Sequence, residues 1–345
     1  MSSLAPQPQD WTSAGCHPVV PGVYRIPLPM PQDGLRAVNV YVLESDGGLA
    51  LVDAGWRVDG ALDQLRDAFA SLGRRLDEVT DVYVTHIHRD HYTLAPELRR
   101  RFGTRIHLGI GEAPGLRALQ DLRSNVPLTS LEQLRRAGAK DLADRTLLRM
   151  REEPWDERDW EPPDTWLRPG RFSVGGRGLC ALSTPGHTKG HLVFHDETAK
   201  LLFAGDHVLP SITPSIGFEL GGWEFPLGRF LASLQLLLTR PDAVLLPAHG
   251  SLGRGVHERV RELLVHHEQR LAATYEQVCA LAPVSGLEVA EHLLWTRRNR
   301  TFSALDDFNK MIAVCETMAH LDVLEARGRI VAEKTAYVAR FHPAS

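Results

Sequence analysis

The chain has 345 residues, enough for one large domain or a domain with a smaller partner. With 43% hydrophobic and 24% charged residues and a formal net charge of -4, it has an ordinary globular composition and lacks the basic balance that nucleic-acid or anionic-membrane binding favours. No stretch approaches the roughly 20 apolar residues of a membrane span, and MSSLAPQPQDWTSAG at the start is not a signal peptide. The four cysteines (16, 180, 279, 315) form no C-x-x-C pair. Free thiols in a reducing compartment, and hence a cytoplasmic location, are expected.

The first third reads as strands and turns. GVYRIPL, AVNVYVLES and GLALVDAG carry apolar and β-branched residues broken by Gly, Pro and Asp. A helix is expected over about 59–72, where Leu62, Leu65, Phe69 and Leu72 recur at helical spacing. DVYVTH (81–86) is a buried-type strand, LAPELRRRFG (94–103) a short helix ending at Gly103, and TRIHLG another strand. Residues 109 to about 168 are charged, helical or loop-like, and close on a Pro/Trp-rich passage, as expected of a helical insertion. Strands resume at GLCALSTPG, HLVFHD and KLLFAGD, followed by a helix at 226–239, the strand AVLLPAHG and a long helix at 256–280. LAPVSG (281–286) marks a boundary. Beyond it come two helices, the second striped with Val314, Met318, Leu321 and Leu324, and a hairpin. Helices followed by a small hairpin outline a winged-helix-like unit at 285–345, apart from a larger domain at 1–280, which the motifs below make the expected catalytic domain.

THIHRDHYT (85–93) holds His86, His88, Asp90 and His91. On a helix, residues two apart point about 200° from each other and could not share an ion. In the extended turn leaving a strand they can converge, and Asp90 and His91, opening the next segment, can face a second ion. A catalytic zinc has three protein ligands and one open position, so two sites need more donors than one loop offers. His187 in STPGHTKGH, Asp206 in FAGDH and His249 in LLPAHG each follow an apolar strand beside a glycine. A carboxylate such as Asp206 has two oxygens and can bridge two cations. Imidazole and carboxylate without thiolate suit zinc, iron or manganese.

This pattern resembles the metallo-β-lactamase-fold hydrolase superfamily over roughly residues 20 to 280. The wording GHTKGH and HRDH is similar to glyoxalase-II-like and lactamase-beta-like-protein-2-type members, the latter with a C-terminal winged-helix-like domain. The resemblance implies an α/β fold, a four-layer αββα sandwich. It implies that His86, His88 and His187 hold one divalent ion, that Asp90, His91 and His249 hold another, and that Asp206 bridges. The two ions would be Zn2+, with Mn2+ or Fe2+ as alternatives. Asp53 in LVDAG would orient the ligand loop. Tyr92 and Thr93 stand where many members have small residues, and the glutathione-binding residues of glyoxalase II have no counterpart here.

The chemistry expected is attack by a metal-bridged hydroxide, with Asp90 or Asp206 holding or relaying the proton. Tyr92 is a candidate donor to a developing oxyanion, with packing against the ligand loop as the preferred role. His191 and His207 are expected to be structural, and His107 to end a strand near the site without binding metal. The tryptophans at 155, 160, 166 and 223 are either packing or a substrate wall. The insertion and the loop SITPSIGFELGGWEF (211–225) both carry apolar and aromatic residues, which suits a small-molecule acyl thioester, ester or lactone. An endoribonuclease or a β-lactam hydrolase is the alternative. Residues 285–345 carry eight basic and eight acidic residues, so nucleic acid is not the expected partner and a homodimer is.

Overall fold

The computed structural model describes residues 4–31, 34–45, 47–218, 220–296, 298–335 and 337–344. Residues 1–3 of the N-terminal stretch and Glu219 of the 211–225 loop lie outside them. Seven strands form the first sheet in chain order: β1 (His17–Val20), β2 (Val23–Pro29), β3 (Ala37–Ser45), β4 (Gly48–Val52), β5 (Val79–Val84), β6 (Arg105–Gly109) and β7 (Thr165–Leu167). The first four run antiparallel; β4 to β7 run parallel. Parallel neighbours cannot be joined by a tight turn, and helical crossovers join them here. These are α1 (Ala61–Ser71), then α2 (Arg89–Tyr92) with α3 (Leu94–Phe102), then α4 (Ala113–Leu122), α5 (Leu128–Arg136) and α6 (Lys140–Arg151).

The second sheet has the order β12-β11-β10-β9-β8. Its strands are β8 (Gly170–Val174), β9 (Arg177–Ser183), β10 (Leu192–Asp196), β11 (Leu201–Gly205) and β12 (Val244–Pro247), and α7 (Pro226–Leu238) makes the one parallel crossover, from β11 to β12. Strand alternation decides the layers. Ala50 and Val52 of β4 face Phe194 and Phe203 of the other sheet in one core. Leu49 and Leu51 turn outward onto α1 and α3 in a second core. Val193, Leu202 and Ala204 turn the other way, into a third core with α7 and α8 (Val256–Leu281). The result is the four-layer αββα sandwich.

The insertion is helical through α4 to α6, but its Pro/Trp-rich end is not all loop. Thr165–Leu167 pair with β6 and close the edge of the first sheet as β7. β1 and β8 are further strands that local pattern did not mark.

After α8 come β13 (Val284–Ser285), α9 (Gly286–His292), α10 (Asp307–Ala326) and the hairpin β14 (Ile330–Thr335) and β15 (Val338–Pro343), in a sheet of order β13-β15-β14. Val314, Met318, Leu321 and Leu324 are buried, as the stripe predicts, but so are Ala313, Cys315, Thr317, Ala319, His320 and Val323. α10 is covered on most sides because it packs on α5, α6, α7, α8 and α9. The C-terminal segment therefore shares one continuous apolar core with the insertion and the outer helices of the sandwich. No helix among the described residues is long and apolar enough to cross a membrane.

Candidate metal centre

The expected ligands all sit where strands end. Asp53 follows β4, His86 and His88 lie in the turn after β5, and α2 carries Asp90 and His91. His187 follows β9, Asp206 follows β11 and His249 follows β12. Carboxyl ends of strands are where open α/β sheets place their ligands. The backbone is held tightly here. Gly205 has φ +49°, and a Cβ on it would lie 2.7 Å from both His191 Nε2 and Thr85 Oγ1.

The seven side chains converge as three overlapping groups: His86, His88 and His187; His86, His91 and Asp206; and Asp90, His91 and His249. His187 Nε2 lies 3.0 Å from His88 Nδ1 and 3.4 Å from Asp206 Oδ2. On the other side, His249 Nε2 lies 3.2 Å from both Asp206 Oδ1 and Asp90 Oδ2, and His91 Nε2 lies 3.3 Å from Asp90 Oδ2. Bonds of roughly 2.0–2.1 Å to a tetrahedral cation would set ligand atoms about 3.3 Å apart. The observed separations fit that spacing. Asp206 faces one histidine set with each of its oxygens.

Four imidazoles are held in a single tautomer by what their other nitrogen meets. His187 Nδ1 donates to the Ser215 carbonyl and His249 Nδ1 to the Ala37 carbonyl, each at 2.8 Å. His91 Nδ1 donates to Asp53 Oδ2 at 2.9 Å. Thr85 Oγ1 donates to Asp53 and so accepts from His86 Nδ1 at 3.1 Å. Each ring therefore turns its Nε2 lone pair inward. His86 Nε2, His91 Nε2, His249 Nε2 and Asp206 Oδ1 are buried with no hydrogen-bond partner among the described residues. Buried polar atoms are rarely left so, and several converging ones are explained by a cation between them.

Charge divides the cluster. Burial, reinforced by neighbouring imidazoles, holds His86 well below the ordinary histidine value and pulls His88 down to about 3. Burial also lowers His187. These three remain neutral donors. In the other half burial opposes charge but loses. Asp206 and Asp90 hold His249 up to about 10, and Asp90, Asp53 and Asp206 hold His91 well above its usual range. Burial alone would raise Asp90 and Asp206, yet the imidazoles facing them hold both below the usual carboxylate range. This half demands positive charge, from protons or from a metal.

The support around the ligands is only partly visible in the sequence. Asp53, expected to orient the ligand loop, takes a left-handed backbone (φ +60°) and accepts from Thr85 N at 2.8 Å as well as from His91. Glu112 and Asn39 carry no such signal. Glu112 is buried, accepts from Thr188 Oγ1 at 2.5 Å and from the backbone of Ile87 and Gly190, and burial pushes its carboxyl up to about 7. It ties the His86–His88 turn to the His187 loop. Asn39 holds the His249 turn through the carbonyls of Pro247 and Gly250, both at 3.0 Å. The 211–225 loop covers the cluster. Its Ser215 carbonyl orients His187, Phe218 lies against His88, and Thr129 of α5 and Asp322 of α10 anchor it through Gly221 and Trp223.

Tyr92 requires a correction. It is fully buried in the outer core beneath α3, and its hydroxyl donates to the Glu161 carbonyl of the insertion. Successive residues of α2 turn about 100° from each other, so the helix that aims Asp90 and His91 inward aims Tyr92 away. Tyr92 is a packing residue, not an oxyanion donor. Tyr92→Phe should leave turnover unchanged and lower stability by about 1 kcal/mol, read as a lower midpoint of urea unfolding.

The other histidines lie outside the ligand set. His191 commits both nitrogens, Nδ1 to Thr184 Oγ1 and Nε2 to the Asp206 amide, and His107 pairs with Asp81. His207 stacks edge-on against Phe230. Trp160 and Trp223 use their indole nitrogens on Asn125 and Asp322, which makes both packing anchors.

A two-sheet sandwich with a His/Asp cluster able to hold divalent metal at its strand ends defines a class of metal-dependent hydrolases. The metallo-beta-lactamase superfamily model matches residues 33–249, and the chain belongs to that superfamily. It is similar to the probable metallo-hydrolase YqjP of Bacillus subtilis, 24% identical over 324 residues, 89% of this chain and 92% of that protein. It is also similar to the lactamase-like protein aptB of Emericella nidulans, 26% identical over 241 residues, 70% of this chain but only 60% of aptB. Among solved structures, the metallo-beta-lactamase family protein TTHA1429 of Thermus thermophilus superposes with a TM-score of 0.76 at 29% identity, covering 94% of this chain and 99% of that one. That coverage takes in the C-terminal segment as well as the sandwich.

Proposed function

We propose that the chain is a binuclear metallo-hydrolase of carboxylic thioesters, esters or lactones, with an acyl thioester as the leading substrate. The observation that carries the two-ion reading is Asp206, whose two oxygens face two separate histidine sets. Divalent ions bound there would supply Lewis acidity and a water acidified toward a pKa of about 7. The chain's own residues do the rest. Asp90 Oδ2 and Asp206 Oδ1 are the carboxylate atoms in reach of a proton released between them. Their imidazole neighbours, at 3.2 Å, hold both carboxyls ionised, so each has a free acceptor oxygen for that proton. His88 is half-buried where the other six ligands are buried, so substrate approaches over it. Its ring lies 5.6 Å from that of Phe218, an apolar neighbour that favours an acyl group over a phosphate.

The nuclease alternative is weakened by the burial of α10 and by the balanced charge of residues 285–345. The test is a panel of acyl-CoA thioesters, lactones, β-lactams and single-stranded RNA, assayed with zinc, manganese and iron. Thioester hydrolysis is expected. Cleavage of RNA without any acyl hydrolysis would reverse the assignment.

A further inference from the structure

The open edge of the cluster continues into the C-terminal segment. The His88 ring lies 5.6 Å from Phe218, and Phe218 lies 6.0 Å from Phe308, both edge-to-face. Phe218 is half-buried, and Phe308, the second residue of α10, is 44% exposed. The three rings therefore form a contiguous aromatic row from the least buried ligand to Phe308 at the surface. The far end of the row is fixed in place. Asp306 caps α10 by accepting from the Asn309 amide at 2.9 Å, and Arg145 of α6 pairs with Asp307 at 2.9 Å. That pair neutralises the carboxylate next to Phe308 in the chain. Leu148, one turn along α6 from Arg145, is 64% exposed and adds apolar surface to the same helix. Phenylalanine gains from burial, and an exposed aromatic side chain held by capped and ion-paired neighbours is suited to covering a ligand.

We propose that the apolar part of the substrate leaves the cluster over His88 and runs along Phe218 to Phe308, so that Phe308 selects for a long aliphatic or aryl acyl group. This rests on the acyl-hydrolase reading and narrows it. The C-terminal helix is then a specificity element of the site as well as a packing unit.

The test uses octanoyl and acetyl thioesters of N-acetylcysteamine with the metal-loaded full chain. The wild type should favour the octanoyl thioester. Phe308→Ala should lower the octanoyl-to-acetyl ratio of kcat/KM about tenfold or more, through KM, while Phe308→Leu retains most of the preference. An unchanged ratio in Phe308→Ala overturns the inference. Calorimetric binding of octanoate against acetate separates the two claims when neither thioester is turned over. Octanoate binding that depends on Phe308 sustains the path and removes the thioesterase reading. Octanoate binding that is absent, or indifferent to Phe308, removes the path.

Discussion

Asp206→Ala should abolish turnover, with a loss of more than about a thousandfold, the several kcal/mol that metal polarisation of a carbonyl supplies. The reason is positional. Asp206 Oδ2 faces His187 Nε2 at 3.4 Å and Oδ1 faces His249 Nε2 at 3.2 Å, so it is the one side chain that meets both halves of the cluster with separate atoms. Removing it unlinks the halves and leaves His91 and His249 to share Asp90. Among the described residues the Asp206 side chain meets only the other ligands, and its contact to the rest of the scaffold runs from its backbone amide to His191. Far-UV circular dichroism should therefore match the wild type while activity is lost. His88→Ala should behave likewise. Full activity in both variants would place the reaction elsewhere on the molecule.

Asp53→Asn should weaken metal affinity by about 10–100-fold without removing any ligand. Asp53 fixes His91 directly and His86 through Thr85, one imidazole from each half of the site. The carboxylate accepts from every partner it has there: the Thr85 amide, the Thr85 hydroxyl and His91 Nδ1. An amide must turn its NH2 group toward one of these donors, which releases a ring to its other tautomer. Chelator competition reads this as a shifted metal dissociation constant. An affinity equal to the wild type would show that the rings are oriented by packing alone.

The candidate ligand set was legible because its members follow apolar strands, with a glycine beside His187, Asp206 and His249. His86 and His88 illustrate this best, since their spacing excludes a shared ion on a helix and permits it in the turn after β5. Glu112 was not legible. It sits in GIGEAPG with no partner nearby in sequence, and its role exists only because the 188–190 loop folds against it, 76 residues away. β7 was hidden for a similar reason, since three residues of a Pro/Trp-rich run become a strand only through pairing with β6. Tyr92 shows the opposite error. Adjacency to the ligands made it a candidate, and the rotation of about 100° per residue along α2 turns it away from the site. The C-terminal helix was legible as an amphipathic stripe, but its burial on further faces depends on α5, α6 and α7, which no periodicity announces.

Elemental analysis of the protein purified without chelator, read per chain, tests the central claim most directly. About two divalent ions per chain are expected for the wild type, and fewer than two for Asp206→Ala. A wild-type chain that carries no metal, and takes up none from zinc, manganese or iron, would contradict the account.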